Sequence, residues 1–326
     1  MHWETERKGI MDLIRLGGFV FDELALRLYE AQYAFNPVYR AYLDLLYGSA
    51  PAVNTCEEIP CLPIEFFKTK EVRTGSYNPS LVFESSATTG QQRSRHFLRE
   101  PGWYHEMASV CFSHIFGQQP GQFRHLAVLP SYAENQASSL LYMLDQFMKR
   151  GQGGYYHSDP AGLSVELEKT IKEPTILWGV SYALYNWPMR LQLSGDTLVM
   201  ETGGMKGREK EMTRQELHQK IMENFGVTSV CSEYGMTELM SQAYALSEGL
   251  FVPGPCMRVV PRQINDPLSR EQPGQQAALN IIDLANVDSC AFIATDDLGR
   301  VYGDGRFEVL GRLDRSDIRG CNLLLA

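Results

Sequence analysis

The chain has 326 residues, with 30 Lys+Arg against 39 Asp+Glu and a formal net charge of -9. Hydrophobic residues make up 44% and charged residues 21%, which is ordinary globular usage. That balance excludes a disordered tail, a collagen-like repeat, a small disulfide scaffold and a protein that coats nucleic acid through a basic face.

The seven cysteines, at 56, 61, 111, 231, 256, 290 and 321, include no C-x-x-C pair and no zinc spacing. The expected setting is therefore a reducing cytoplasm. The N-terminal stretch has no unbroken apolar core and is not read as a signal peptide. No run of about 18 apolar residues predicts a membrane span.

Phe21, Leu24, Leu28 and Tyr29 recur at helical spacing, and a second apolar set follows from Tyr39 to Tyr47, closed by Gly48 and Pro51. Two prolines in Ile59–Lys68 forbid a regular helix there. From Leu81 onward, short apolar runs alternate with helical stretches, the mark of βαβ units. Strands are expected at Leu81–Phe83, His125–Leu129, Thr175–Val180, Thr197–Met200 and Val227–Cys231. A helix is expected over Gln136–Met148, with Gly151 as its C′ glycine. Thr213 and Glu216 form a capping box ahead of Leu217–Phe225, which Gly226 ends. After Phe251 the helical signal stops, and Met257–Val260, Ala277–Ile282, Ala291–Ala294 and Phe307–Leu310 read as strands. The expected fold is α/β: a helical segment over 1–60, a core over 61–250 and a β-rich subdomain over 251–326.

Three segments carry candidate chemistry. In Phe83-Glu-Ser-Ser-Ala-Thr-Thr-Gly-Gln-Gln-Arg93, hydroxyls and backbone N–H groups can wrap phosphate oxygens, although no Walker loop is present. Cys231-Ser-Glu-Tyr-Gly-Met-Thr-Glu238 starts at the end of an expected strand, where ligands of open α/β sheets sit. Ala294-Thr-Asp-Asp-Leu-Gly-Arg300, followed by Gly311-Arg312, reads as turns that offer a carboxylate to ribose hydroxyls and a guanidinium to phosphate. Each segment alone fits an ordinary solvated turn or helix start.

Taken in order, with Gly203-Gly204 between them, these motifs resemble the adenylate-forming enzyme superfamily, which includes acyl-CoA ligases and aryl-CoA ligases such as those for phenylacetate. Ile59–Lys68, Leu129-Pro-Ser-Tyr132, Glu201–Arg208 and Arg319-Gly-Cys321 are similar to LuxE-type acyl-protein synthetases within it. The resemblance implies the large N-terminal domain of that fold without its small C-terminal domain. It also implies ATP and Mg²⁺, a carboxylic and most naturally fatty acid substrate, and an acyl reductase or other acyl-acceptor partner. Ser85, Ser86, Thr88, Thr89 and Gly90 would form the phosphate loop, with Arg93 where most members have lysine. Gly203 and Gly204 would border the adenine, and Tyr234 and Gly235 would lie beside it. Thr237 would bind the α-phosphate and Glu238 the Mg²⁺. Asp297 would take the ribose hydroxyls, Arg312 ribose or phosphate, and Cys321 the acyl group. Ala87 departs from the glycine usual in the loop.

Three rivals remain at this point. One is a ligase that uses free coenzyme A. Another is a serine hydrolase built on Gly179-Val-Ser181, for which His218 is the sole later histidine. The third is a non-catalytic nucleotide- or acyl-binding subunit. Trp178–Leu184 is apolar enough to line an acyl pocket.

Overall fold

The computed structural model describes residues 2–86, 92–169, 172–203 and 213–313. The chain opens with helices α1 (Trp3–Leu16), α2 (Phe21–Phe35) and α3 (Pro37–Tyr47). Asn36 caps α3 by accepting from the Val38 and Tyr39 amides, Pro37 stands at its first position, and Gly48 ends it at φ 79°. Strand β1 (Leu62–Pro63) and the short helix α4 (Phe66–Thr69) occupy the proline-rich stretch. Strands β2 (Leu81–Glu84) and β3 (Arg95–Leu98) then form an antiparallel hairpin.

A seven-stranded sheet follows, built from β4 (Arg124–Val128), β5 (Gln152–Tyr155), β6 (Thr175–Val180), β7 (Thr197–Thr202), β8 (Cys231–Tyr234), β9 (Ala243–Ala245) and β10 (Val252–Pro253). Strands β5, β4, β6, β7 and β8 run parallel, while β9 and β10 pair antiparallel at one edge. Helices α5 (Pro101–Phe116) and α6 (Ser139–Arg150) pack with Phe112, Phe147, Trp178 and Tyr244 in one core. Helices α7 (Pro160–Glu168), α8 (Ser181–Tyr185) and α9 (Arg214–Phe225) bury Leu163, Leu184 and Phe225 in a second. Covering helices on both faces explain why β4 and β6 read as apolar runs without alternation.

The chain ends its described part in β11 (Met257–Arg262), β12 (Gln276–Asp283), β13 (Phe292–Val301) and β14 (Phe307–Arg312), an antiparallel set that β1 joins in parallel through β13. The first helices pack on this sheet: Tyr39 stacks on Phe292 at 5.9 Å, and the Gln32 amide serves the backbone of residues 286–291. Among the described residues no helix is long and apolar enough to cross a membrane.

Several expectations need correction. The strand read at Val227–Cys231 begins only at Cys231, because pairing with β7 and β9 extends the polar Ser232-Glu-Tyr234 run. The turn read at Thr295–Arg300 is interior to β13, where alternate residues are buried and β14 pairs alongside. Gly151 follows α6 at φ -115°, so it is not a left-handed C′ glycine. Trp178 lies within β6, fully buried, with its indole N–H donating to His125 Nδ1 at 3.0 Å, so the apolar Trp178–Leu184 stretch begins in the core.

Candidate active site

The candidate residues gather where the carboxyl ends of β6, β7 and β8 face the hairpin β2–β3 and the second sheet. The hairpin loop is closed at its base by Ser85 and Ser94. The Ser85 amide donates to the Ser94 carbonyl at 3.0 Å, and the Ser94 amide donates to Ser85 Oγ at 2.9 Å. Ser94 is 2% exposed, and its hydroxyl also hydrogen-bonds the Glu238 carboxyl. Two residues farther along the same segment, His96 Nδ1 lies 2.8 Å from the Thr237 carbonyl. A carbonyl only accepts, so Nδ1 carries the proton. Asn286 Nδ2 donates to the Glu238 carbonyl at 2.8 Å. Just beyond, Asp283 takes the Met240 and Ser241 amides at 2.7 and 3.0 Å. The Thr237–Ser241 stretch is thus fixed from behind by two segments, the entrance and strand of β3 and the end of β12 with the residues that follow it.

Burial pushes the Glu238 carboxyl above its usual range, and the Ser94 hydrogen bond opposes that shift. A desolvated carboxyl with few compensating partners is a site that a cation would restore to its charged form. Among the described residues no cluster of three or more His, Cys, Asp or Glu could hold a metal by itself. One carboxylate oxygen donor nevertheless suits Mg²⁺, which keeps waters and takes its remaining ligands from phosphates.

Tyr234, at the end of β8, donates to Asp297 Oδ2 at 2.8 Å. Arg312 meets Asp297 Oδ1 at 3.1 Å, from the position directly opposite in the β13–β14 register. The Asp297 side chain is 10% exposed and Arg312 59%, so the guanidinium is the outward member. Burial raises the Asp297 carboxyl, and Arg312 and Tyr234 oppose the rise. Thr295 supports the carboxylate by accepting the Asp297 amide at 3.1 Å.

Gly203 closes β7 at φ 73°, a left-handed backbone that favours glycine. Behind it lies an unexpected hub. The Glu201 carboxylate is 2% exposed and accepts from Ser181 Oγ at 2.6 Å, Ser232 Oγ at 2.9 Å and Arg214 Nη1 at 2.5 Å. His218 Nε2 stands 3.6 Å away. Burial alone would raise this carboxyl, but His218, Arg214 and Ser181 outweigh it and hold it below the usual range. The arrangement brings Ser181 and His218 near one carboxylate, yet Ser181 is fully buried and its hydroxyl faces Glu201 and the Gly203 carbonyl, 2.6 Å from each. That geometry offers a substrate no nucleophilic serine.

The structure therefore joins Ser85, Tyr234, Thr237, Glu238, Asp297 and Arg312 into one site. Arg93 stands apart from it: its guanidinium is half exposed and pairs with Glu84 at 3.3 Å. Ser86 is exposed at the start of the loop, and Gly235 is exposed after β8. Thr88, Thr89, Gly90, Gly204, Cys321 and the departing Ala87 lie outside the described residues. Ser94, His96 and Asn286 carried no signal in the sequence, and Glu201 appeared only as the first residue of a resembling segment, with no role of its own. Their partners are far along the chain, and Ser94 and His96 sit in a short polar run with no motif.

No protein-family model matches the sequence, and no curated protein does. Solved structures do match. They include ATP-bound MatB from Rhodopseudomonas palustris, at 17% identity and TM-score 0.52, over 73% of this chain and 49% of that one. O-succinylbenzoate coenzyme A synthetase (MenE) from Bacillus subtilis, in complex with the acyl-adenylate intermediate, matches at 17% and 0.52, over 72% and 49%. A luciferase-like enzyme from the nonluminescent Zophobas morio mealworm matches at 16% and 0.51, over 74% and 60%. The chain spans about half the length of the structures it matches first. Over about 73% of its length it shares the mixed α/β fold of these solved structures.

Proposed function

We propose that the protein activates a carboxylic acid with ATP, forming an acyl-adenylate and releasing pyrophosphate. The observation that carries this reading is the joined pair of networks, Ser94–Glu238 and Tyr234–Asp297–Arg312, at the sheet's carboxyl edge. One network suits a metal–phosphate group and the other a ribose.

In the proposed reaction a carboxylate oxygen attacks the α-phosphorus, and the bond to the bridging oxygen of pyrophosphate breaks. The obstacle is the approach of an anion to a polyanion. Ser85 and the loop that starts there, including Ser86, Thr88, Thr89 and Gly90, would surround phosphate oxygens with hydroxyl and N–H donors. Thr237 would add a hydroxyl at the α-phosphate. Glu238 would hold Mg²⁺, which supplies charge neutralisation when bound. Asp297 would exchange its Tyr234 or Arg312 partner for ribose hydroxyls, with Arg312 left to contact ribose or phosphate. Gly203, Gly204, Tyr234 and Gly235 would flank the adenine. Arg93 would have to leave Glu84 to reach a phosphate.

For the second step we favour transfer to a thiol, with AMP as leaving group and Cys321 as acyl carrier, as in an acyl-protein synthetase that delivers a fatty acid to a reductase. The six described cysteines do not compete for this role. All are buried, and burial pushes their thiols up, to about 11 for Cys231 and about 12 for Cys56, Cys111 and Cys290. A coenzyme A thiol is the second reading, favoured by the likeness to a solved coenzyme A synthetase. We also propose 1–60, 61–250 and 251–326 as working segment boundaries.

Hydroxylamine trapping tests the first step: acid, ATP, Mg²⁺ and enzyme should yield the hydroxamate of one acid class. Cys321→Ser should keep hydroxamate formation and lose the thioester-linked acyl protein. Acyl transfer that requires coenzyme A would favour the second reading.

A further inference from the structure

The hairpin β2–β3 and the Thr237–Glu238 turn belong to different parts of the chain, yet a phosphate chain bound with Mg²⁺ must touch both at once. Their relative position is therefore a functional quantity. Two side chains of β3 and its entrance set it: Ser94 reaches the Glu238 carboxyl, and His96 reaches the Thr237 carbonyl at 2.8 Å.

His96 is built for a fixed role. It is 1% exposed, and its ring meets Phe67 edge-on at 6.3 Å. Its contact is to the Thr237 backbone carbonyl and not to the hydroxyl or carboxyl proposed as ligands. The bond holds the one backbone unit that separates the candidate phosphate ligand from the candidate metal ligand. Asn286 holds the next carbonyl, so the Thr237 and Glu238 carbonyls are both tied down.

We propose that His96 is a positioning residue for the metal–phosphate part of this site. By donating from Nδ1 to the Thr237 carbonyl, it locks the Thr237–Glu238 turn to the hairpin that carries the phosphate loop. The inference rests on the reading of the site as an ATP site. Its signature is selective: loss of His96 should disturb Mg²⁺–phosphate binding and spare the nucleoside end, which Tyr234, Asp297 and Arg312 serve from the other side.

The test is calorimetric titration of the full chain with ATP, with and without Mg²⁺. His96→Phe keeps a ring against Phe67 and removes the donor. It should weaken MgATP binding about tenfold, the cost of one well-placed hydrogen bond, while Mg²⁺-free ATP binding moves less than about twofold. His96→Gln, which keeps a donor, should recover part of the loss and serves if the phenylalanine variant does not melt cooperatively. In a Glu238→Gln background, His96→Phe should add nothing further. Equal weakening with and without Mg²⁺, or unchanged MgATP binding in folded His96→Phe, would overturn the proposal. A wild-type protein that binds neither form of ATP would instead defeat the reading of the site itself, and the inference with it.

Discussion

The Tyr234 hydroxyl donates to the Asp297 carboxylate at 2.8 Å, and that bond joins the end of a parallel strand in one sheet to an antiparallel strand in the other. Both groups are buried, so each needs the other as a partner. Tyr234→Phe leaves Asp297 with Arg312 alone and should cost about 1–2 kcal/mol of stability. Asp297→Ala leaves the tyrosine hydroxyl unanswered as well. It should also abolish measurable ATP binding if the carboxylate takes ribose, whereas Tyr234→Phe should weaken it no more than about tenfold. Urea denaturation and nucleotide titration of the two variants check the pair.

Glu201 is a structural hub with a large expected effect. Glu201→Ala would strand Arg214 and the buried Ser181 and Ser232 hydroxyls. Removing one partner of such a buried set typically costs about 3–5 kcal/mol. Thr213→Ala, which only removes the capping-box hydroxyl of α9, should cost about 1 kcal/mol. Chemical denaturation should separate the two by a clear margin, and similar losses would argue against the hub.

Acid should destabilise the protein before its exposed carboxylates titrate. Burial lowers His96 and His125 to about 4 from an ordinary value near 6.5. The unfolded chain therefore binds more protons between those values, and stability falls as pH drops through that window. His125 shows why: Nδ1 accepts from the Trp178 N–H while Nε2 lies 2.8 Å from the Pro120 carbonyl. Protonation would set two donors against each other. Denaturation at pH 7 and pH 5 isolates this contribution by comparison: His125→Gln should gain stability relative to the parent chain on going from pH 7 to pH 5, and an unchanged difference between the two would contradict it.

Glu233 should act in the opposite sense. Burial, with Glu201 adding to it, lifts its carboxyl to about 8. The folded chain then holds a proton that the unfolded chain gives up near pH 4.5, so stability is lost as pH rises toward 8. Glu233→Gln should flatten that fall, with little change at pH 5. A melting series from pH 5 to 8.5 measures it.

Much of the fold was legible because it rests on local pattern. The apolar runs of β4 and β6, the helical spacing of α2 and the Thr213–Glu216 box are all read within a dozen residues. Asp297 was legible as a carboxylate but not as part of a strand. Its Asp and Gly neighbours favour turns, and only pairing with β14 holds them extended. The support of the site was not legible. His96 and Thr237 are 141 residues apart, and Gln32 reaches a loop more than 250 residues away. That loop carries Asn286, so the N-terminal helices brace the Glu238 turn through contacts with no sequence period.

Carboxylate activation is tested most directly by acid-dependent exchange of labelled pyrophosphate into ATP. The panel should run from acetate through long-chain fatty acids to arylacetates. Exchange with one acid class, lost in Asp297→Ala, is the predicted result. No exchange with any acid, in folded protein that binds MgATP, would contradict the account and favour a nucleotide-binding subunit without this chemistry.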